Sequence, residues 1–249
     1  MTVYIIGAGP GDPELITIKA KKAIENADVI VYAGSLLNPK ILNYAKAGAE
    51  LYNSAKLNLE EIFNIISKAV KDKKSVVRIL NGDPSIYGTL QEHAEFLEKH
   101  NISYEVIPGV SSFLAAAASL RKEYTIPEVS QTLIITRMEG RTKVPEKEKL
   151  SELAKHRATM CIFLSAHMID NVANELQKGY PSDTPVAVVY RASWDNEKII
   201  TGQLSNIAVK VKDAKINKTA LILVGDFLRA KEKRSKLYDK EFTHGFRKK

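Results

Sequence analysis

Two glycine-rich stretches of this chain carry an aspartate where a phosphate binder would carry a lysine: Gly7-Ala8-Gly9-Pro10-Gly11-Asp12-Pro13 and Gly82-Asp83-Pro84. Each follows an apolar run, Val3-Tyr4-Ile5-Ile6 in the first case and Val76-Val77-Arg78-Ile79-Leu80 in the second. Both read as a strand followed by a tight turn. Glycine lets a ligand come close to the backbone, and in an open α/β sheet the ligand crevice lies beyond the carboxyl ends of the strands. A carboxylate at such a crevice repels an oxyanion and favours a cation. The two loops therefore point to a cationic small molecule.

A dinucleotide site fits poorly. The third glycine of the Gly-x-Gly-x-x-Gly pattern is Asp12 here, Pro10 and Pro13 stiffen the segment that should open a helix, and Asp28 opens the next apolar run instead of closing it. Neither turn is followed by the Gly-Lys-Ser/Thr of a Walker loop. The one cysteine, Cys161, sits within Met160-Cys161-Ile162-Phe163-Leu164 and reads as buried filler. His93, His100, His156, His167 and His244 show no metal-ligand spacing, so no protein-bound metal is expected.

The elements that must position the loops alternate in type. Strands are expected at residues 2–6, 28–32, 49–52, 75–80 and 104–107. Helical patterns separate them, including a capping box at Asn58 and Glu61 ahead of Leu59–Lys71, a helix around Leu90, Ala94 and Leu97, and a buried one over 110–120. This predicts a mostly parallel, doubly wound sheet. Beyond Ile126-Pro127 the strands are expected at 132–137, 158–164, 185–190, 198–201 and 219–225, with helices near 146–156, 168–177 and 204–212. The short link from Tyr190 to Lys198 implies a hairpin, hence a mixed sheet. The expected organisation is an α/β protein of two lobes, residues 1–124 with the glycine loops and residues 125–228 with the mixed sheet, a ligand cleft between them, and a basic tail at 229–249.

The 249 residues carry a net charge of +8, which invites a nucleic-acid reading. The tail alone holds 9 Lys/Arg against 3 Asp/Glu, so the body is close to neutral, and no nucleic-acid-binding motif accompanies it. No apolar stretch approaches the roughly 20 residues that span a bilayer, and Met1-Thr2-Val3-Tyr4 is no charged leader. A cytoplasmic protein with neither a nucleic-acid nor a membrane partner is expected.

Taken with Asn81-Gly82-Asp83-Pro84-Ser85-Ile86-Tyr87-Gly88, Pro108-Gly109-Val110-Ser111-Ser112 and the closing Thr219-Ala220-Leu221-Ile222-Leu223-Val224-Gly225, the first loop resembles the tetrapyrrole methylase family over residues 2–228. The resemblance implies methyl transfer from S-adenosylmethionine, leaving S-adenosylhomocysteine. That donor is a sulfonium and ammonium compound with no phosphate, which suits the acidic loops. Tyr32-Ala33-Gly34-Ser35-Leu36, residues 130–137, Gly140-Arg141-Thr142 and residues 183–194 narrow the likeness to members that methylate a corrin precursor. Carried over position by position, the donor contacts fall on Pro10, Asn81, Gly82, Asp83, Ile86, Ser111, Ser112, Ser165, Ala192 and Ala220. The substrate is a polycarboxylate, so Arg121, Lys122, Arg137, Arg141 and Arg191 are the candidates to hold it. A homodimer is implied as well. No residue is singled out as proton acceptor. The alternatives are a sister methylase acting at another ring carbon, a methylase of a diphthamide precursor, and a non-catalytic nucleotide-binding protein.

Overall fold

A computed structural model describes residues 2–230, 242, 243, 245 and 246. Most of the basic tail, His244 included, lies outside the described residues. The chain divides into two compact units, one holding residues up to Ala115 together with Arg191–Asn196, the other Ala116–Tyr190 and the residues from Glu197 onward.

In chain order the first unit contains β1 (Val3–Gly7), α1 (Ile18–Asn26), β2 (Val29–Tyr32), β3 (Glu50–Asn53), α2 (Leu59–Lys71), β4 (Val76–Leu80), α3 (Leu90–Lys99), β5 (Tyr104–Ile107) and the start of α4 (Ser112–Leu120). Its strands form one parallel sheet in the order β3-β2-β4-β1-β5. The inner strands β1 and β2 are apolar on both faces because helices cover both. Ile6, Ile30 and Ile79 pack with Ala20 and Ile24 of α1, while Ile5, Val31 and Val76 pack with Ile62 and Ile66 of α2 and Leu97 of α3. Each such buried isoleucine contributes on the order of 1.5–3 kcal/mol. The Asn58–Glu61 capping box is present in both directions, and α2 spans the expected residues.

The order of the sheet decides where a ligand can sit. After β1 the chain turns to α1 on one face, and after the neighbouring β4 it turns to α3 on the other. This change of side between neighbouring strands marks the carboxyl ends of β1 and β4 as the place where a doubly wound sheet takes a ligand.

The second unit holds β6 (Leu133–Arg137), α5 (Leu150–Ala154), β7 (Thr159–Phe163), α6 (Ile169–Leu176), β8 (Pro185–Tyr190), β9 (Lys198–Gln203), α7 (Ile207–Asp213) and β10 (Ala220–Val224). Its sheet runs β6-β7-β10-β8-β9, with β6 and β7 parallel and the other neighbours antiparallel, so the expected mixed sheet is present. Met160, Ile162, Val186, Val188 and Ile222 pack against α5, α6 and α7 on one face. Tyr190 pairs with Lys198 in the expected hairpin.

Two helices differ from expectation. The stretch expected to be helical from residue 146 begins with a 3-10 turn at Glu146–Glu148, and Lys149 is extended (ψ 143°) before α5 starts. The helix expected from residue 204 begins at Ile207, because the Asn206 side chain accepts from Gln203 N–H and ties the preceding residues into a turn. Among the described residues no helix is long and apolar enough to cross a membrane.

Candidate functional site

Three glycines hold the loops beyond β1, β4 and β5 together. A Cβ added to Gly7 or to Gly109 would run into the carbonyl oxygen of Gly82, and each would also crowd the other's backbone. Gly9 and Gly82 exchange both backbone hydrogen bonds, at 3.2 and 3.0 Å. Gly82 differs in kind. It holds φ +63°, yet a Cβ there would make ordinary contact with Ser111 at 3.6 Å. Within the protein the close approach at Gly82 is that of its carbonyl to Gly7 and Gly109, and the φ of Gly82 itself favours glycine.

Both acidic side chains build these loops. An Asp12 carboxylate oxygen accepts from Glu14 N–H at 2.9 Å and caps the turn Pro13–Leu15. Asp83 accepts from Ser85 N–H at 2.8 Å, from the Ser85 hydroxyl, and from Gly109 N–H at 2.8 Å, joining the second loop to the third. Burial alone would raise the Asp83 carboxyl, but the bonds from Ser85 and Gly109 outweigh it and hold it below the usual carboxylate range. It stays charged.

The sequence-selected donor positions fall into two groups. Pro10, Asn81, Gly82, Asp83, Ile86, Ser111 and Ser112 stand on the three joined loops of the first unit, with Pro10, Gly82 and Ser111 buried. Ala192, 5% exposed, belongs to Arg191–Asn196 and so to the same unit. Ser165 and Ala220 lie in the second unit, just past the end of β7 and at the start of β10, its antiparallel neighbour. The fully buried Ser165 hydroxyl donates to the Phe163 carbonyl at 2.7 Å and accepts from Met138 N–H at 2.9 Å, which occupies it with its own turn.

The cationic candidates stand on separate segments of the chain. Arg121 is exposed at φ +53° beyond the end of α4, with Lys122 after it. The Arg137 guanidinium donates to the carbonyls of Met138 (3.3 Å), Thr142 (3.1 Å) and Lys143 (2.9 Å), bracing the loop that carries exposed Arg141. A pocket of about 650 Å³ opens beside that loop, but Glu139, Glu146, Glu152 and Glu175 outnumber its lysines, a poor lining for a polycarboxylate. Arg191 packs its guanidinium 4.9 Å from the Trp194 ring centroid.

Two features escaped the sequence reading. Arg78, in the middle of β4 and 5% exposed, donates to His93 Nε2 at 3.1 Å and to Ser54 Oγ at 2.9 Å, while Ser54 donates to the Tyr32 carbonyl. Burial lowers Arg78 to about 10. An arginine inside an apolar strand was the available signal. The other feature is the seating of Trp194 on the first glycine loop, for which no local sequence signal exists. Cys161 is buried beside Tyr124, and burial pushes its thiol up to about 12, which suits filler and not a nucleophile.

Residues 2–208 match the family model for tetrapyrrole (corrin/porphyrin) methylases. The chain is 62% identical, over 99% of its length and 96% of the other's, to the cobalt-precorrin-4 C(11)-methyltransferase of Methanocaldococcus jannaschii. It resembles the X-ray structure of a cobalamin biosynthetic enzyme, cobalt precorrin-4 methyltransferase CbiF, with TM-score 0.89 and 43% identity, covering 91% of this chain and 95% of that one. A uroporphyrin-III C-methyl transferase from Thermus thermophilus, solved complexed with S-adenyl homocysteine, is similar with TM-score 0.76 and 28% identity, covering 92% and 94%.

Proposed function

This chain belongs to the tetrapyrrole methylase family, and on that premise we propose that it methylates C-11 of precorrin-4 or cobalt-precorrin-4 in the building of the cobalamin ring, with S-adenosylmethionine as donor. The observation that carries the reading is the near full-length likeness to a protein of that activity at 62% identity. The loops beyond β1, β4 and β5 support it: they offer a glycine backbone, an ionised Asp83 and no phosphate-binding lysine. That chemistry fits a sulfonium donor.

The donor, when bound, supplies a methyl group already attached to a good leaving group. The protein's work is then to bind, align and exclude water, effects worth on the order of 7–11 kcal/mol when the geometry is right. In the proposed site Pro10, Asn81, Gly82, Asp83, Ile86, Ser111, Ser112 and Ala192 hold the donor, with Ser165 and Ala220 contributing backbone. Arg121, Lys122, Arg141 and Arg191 are proposed to meet substrate carboxylates. Arg137 is proposed to act at one remove, by bracing the loop of Arg141. The proposal extends to a cytoplasmic homodimer.

Calorimetric titration with S-adenosylhomocysteine, NAD and ATP tests the donor, with binding of the first alone expected. Mass spectrometry and carbon NMR of the product from precorrin-4, with and without cobalt, test the acceptor. A methyl group on a ring carbon other than C-11 would move the protein to a sister activity.

A further inference from the structure

The connection between β8 and β9, Arg191–Asn196, packs with the first unit. Two of its residues hold a positive φ without being glycine, Arg191 at +49° and Ser193 at +70°. Such backbone persists only where its surroundings enforce it. What it achieves is a set of bonds to consecutive peptide groups of the first glycine loop. Trp194 Nε1–H donates to the Pro10 carbonyl at 3.1 Å. Between the two bonds that the connection makes, Asn38, from elsewhere in the first unit, donates its Nδ2–H to the Gly11 carbonyl at 2.8 Å. The Ser193 hydroxyl accepts from Asp12 N–H at 3.0 Å. Asp195 closes the set with an ion pair to Lys40 at 2.5 Å. The indole also lies against Gly11, where any Cβ would strike its ring.

We propose that Ser193-Trp194-Asp195 is a clamp on the first glycine loop, and that Trp194 is the positioning residue that keeps Pro10 where the donor needs it. This rests on the donor-site reading above. A Gly-Pro-Gly loop has carbonyls that nothing in its own backbone turn satisfies, and an unheld loop must be ordered at the donor's expense. Fixing it beforehand removes that cost from binding. Trp194 touches neither donor nor acceptor in this account; it acts through Pro10 and Gly11.

Trp194 is the chain's one tryptophan, so the intrinsic indole emission of the full-length protein reports on the surroundings of this side chain. S-adenosylhomocysteine is titrated into the wild type, Trp194→Phe and Trp194→Ala, with calorimetry for the variants and melting temperature for all. The wild-type emission is expected to change on binding. Losing the single hydrogen bond in the Phe variant is expected to weaken affinity by about threefold to tenfold, and losing bond and ring in the Ala variant by more. In turnover assays the donor KM should rise in the same order while kcat at saturating donor stays within about twofold, a split that general destabilisation would not produce. An Ala variant that is folded and binds as tightly as wild type overturns the clamp; should the Ala variant fail to fold, wild-type affinity in the Phe variant overturns it. A fall in kcat with unchanged donor KM overturns it too. A wild type that binds no S-adenosylhomocysteine defeats the donor-site reading itself, and the clamp with it.

Discussion

Gly7, Gly82 and Gly109 meet at one point, but they are glycine for different reasons. Gly7 and Gly109 lack room, and Gly82 needs its left-handed backbone. Gly109→Ala is therefore expected to cost about 1–3 kcal/mol, as overpacking does, and to weaken S-adenosylhomocysteine binding by parting the second and third loops. Gly82→Ala should cost about 1–2 kcal/mol through its φ while leaving the loops in contact. Calorimetric titration of both folded variants with S-adenosylhomocysteine decides; equal loss of donor affinity in the two would refute the distinction. At this scale the sequence marked the glycines and aspartates that build the loops and left their partners unseen. The aspartates were read as charges for a cation, and they prove also to be struts, because an Asx turn needs only a local N–H whereas the Asp83–Gly109 bond joins residues 26 apart. Arg137 was legible as a cation, but its attachment to its own loop was not.

Elements were the most legible part, since hydrophobic period and caps are local. Helix α2 illustrates it: Asn58 and Glu61 cap it, and Ile62, Ile66 and Ala69 are its buried face. Asn58→Ala should cost about 1 kcal/mol of unfolding free energy, readable by denaturant titration. The failure at α5 is equally physical, since a charge-rich stretch carries little apolar period and Lys149 could take either backbone form. Between elements, the Arg78–His93 bond ties β4 to α3, and the His93 Nδ1–H donates to the Thr89 carbonyl, leaving Nε2 as acceptor. Burial chiefly lowers His93; the Thr89 carbonyl opposes this and the Arg78 charge adds to it. A histidine depressed in the folded state takes up its proton first in the unfolded state, so stability falls as pH drops below about 6.5 toward the folded value. His93→Gln keeps an acceptor without titrating. The difference in unfolding free energy between pH 7.5 and 5.5 should shrink in this variant, and an unchanged difference would show that other groups govern the window.

At the scale of the whole molecule the two sheets and their strand types were readable, since alternating strands and helices imply parallel pairing and the short Tyr190–Lys198 link implies a hairpin. The division of the chain was harder to read. It falls inside α4, upstream of the expected boundary after residue 124, and it returns Arg191–Asn196 to the first unit, a choice made by contacts and invisible to composition. Charge gives a further test. The sequence-selected donor positions all precede Leu221, so a chain ending after Ala230 should bind S-adenosylhomocysteine within about twofold of the full-length protein. A larger loss with the melting temperature preserved would give the basic tail a part in the site.

The return of Arg191–Asn196 also sets a timetable. During synthesis at roughly 5–20 residues per second, Ala115 leaves the peptidyl-transferase centre about 4–15 s before Arg191 does, because 75 residues separate them. Throughout that interval the nascent first sheet can pair its strands, but Pro10 and Gly11 lack the indole that will cover them. The glycine loop is among the first segments translated and, if the clamp holds, among the last to be finished.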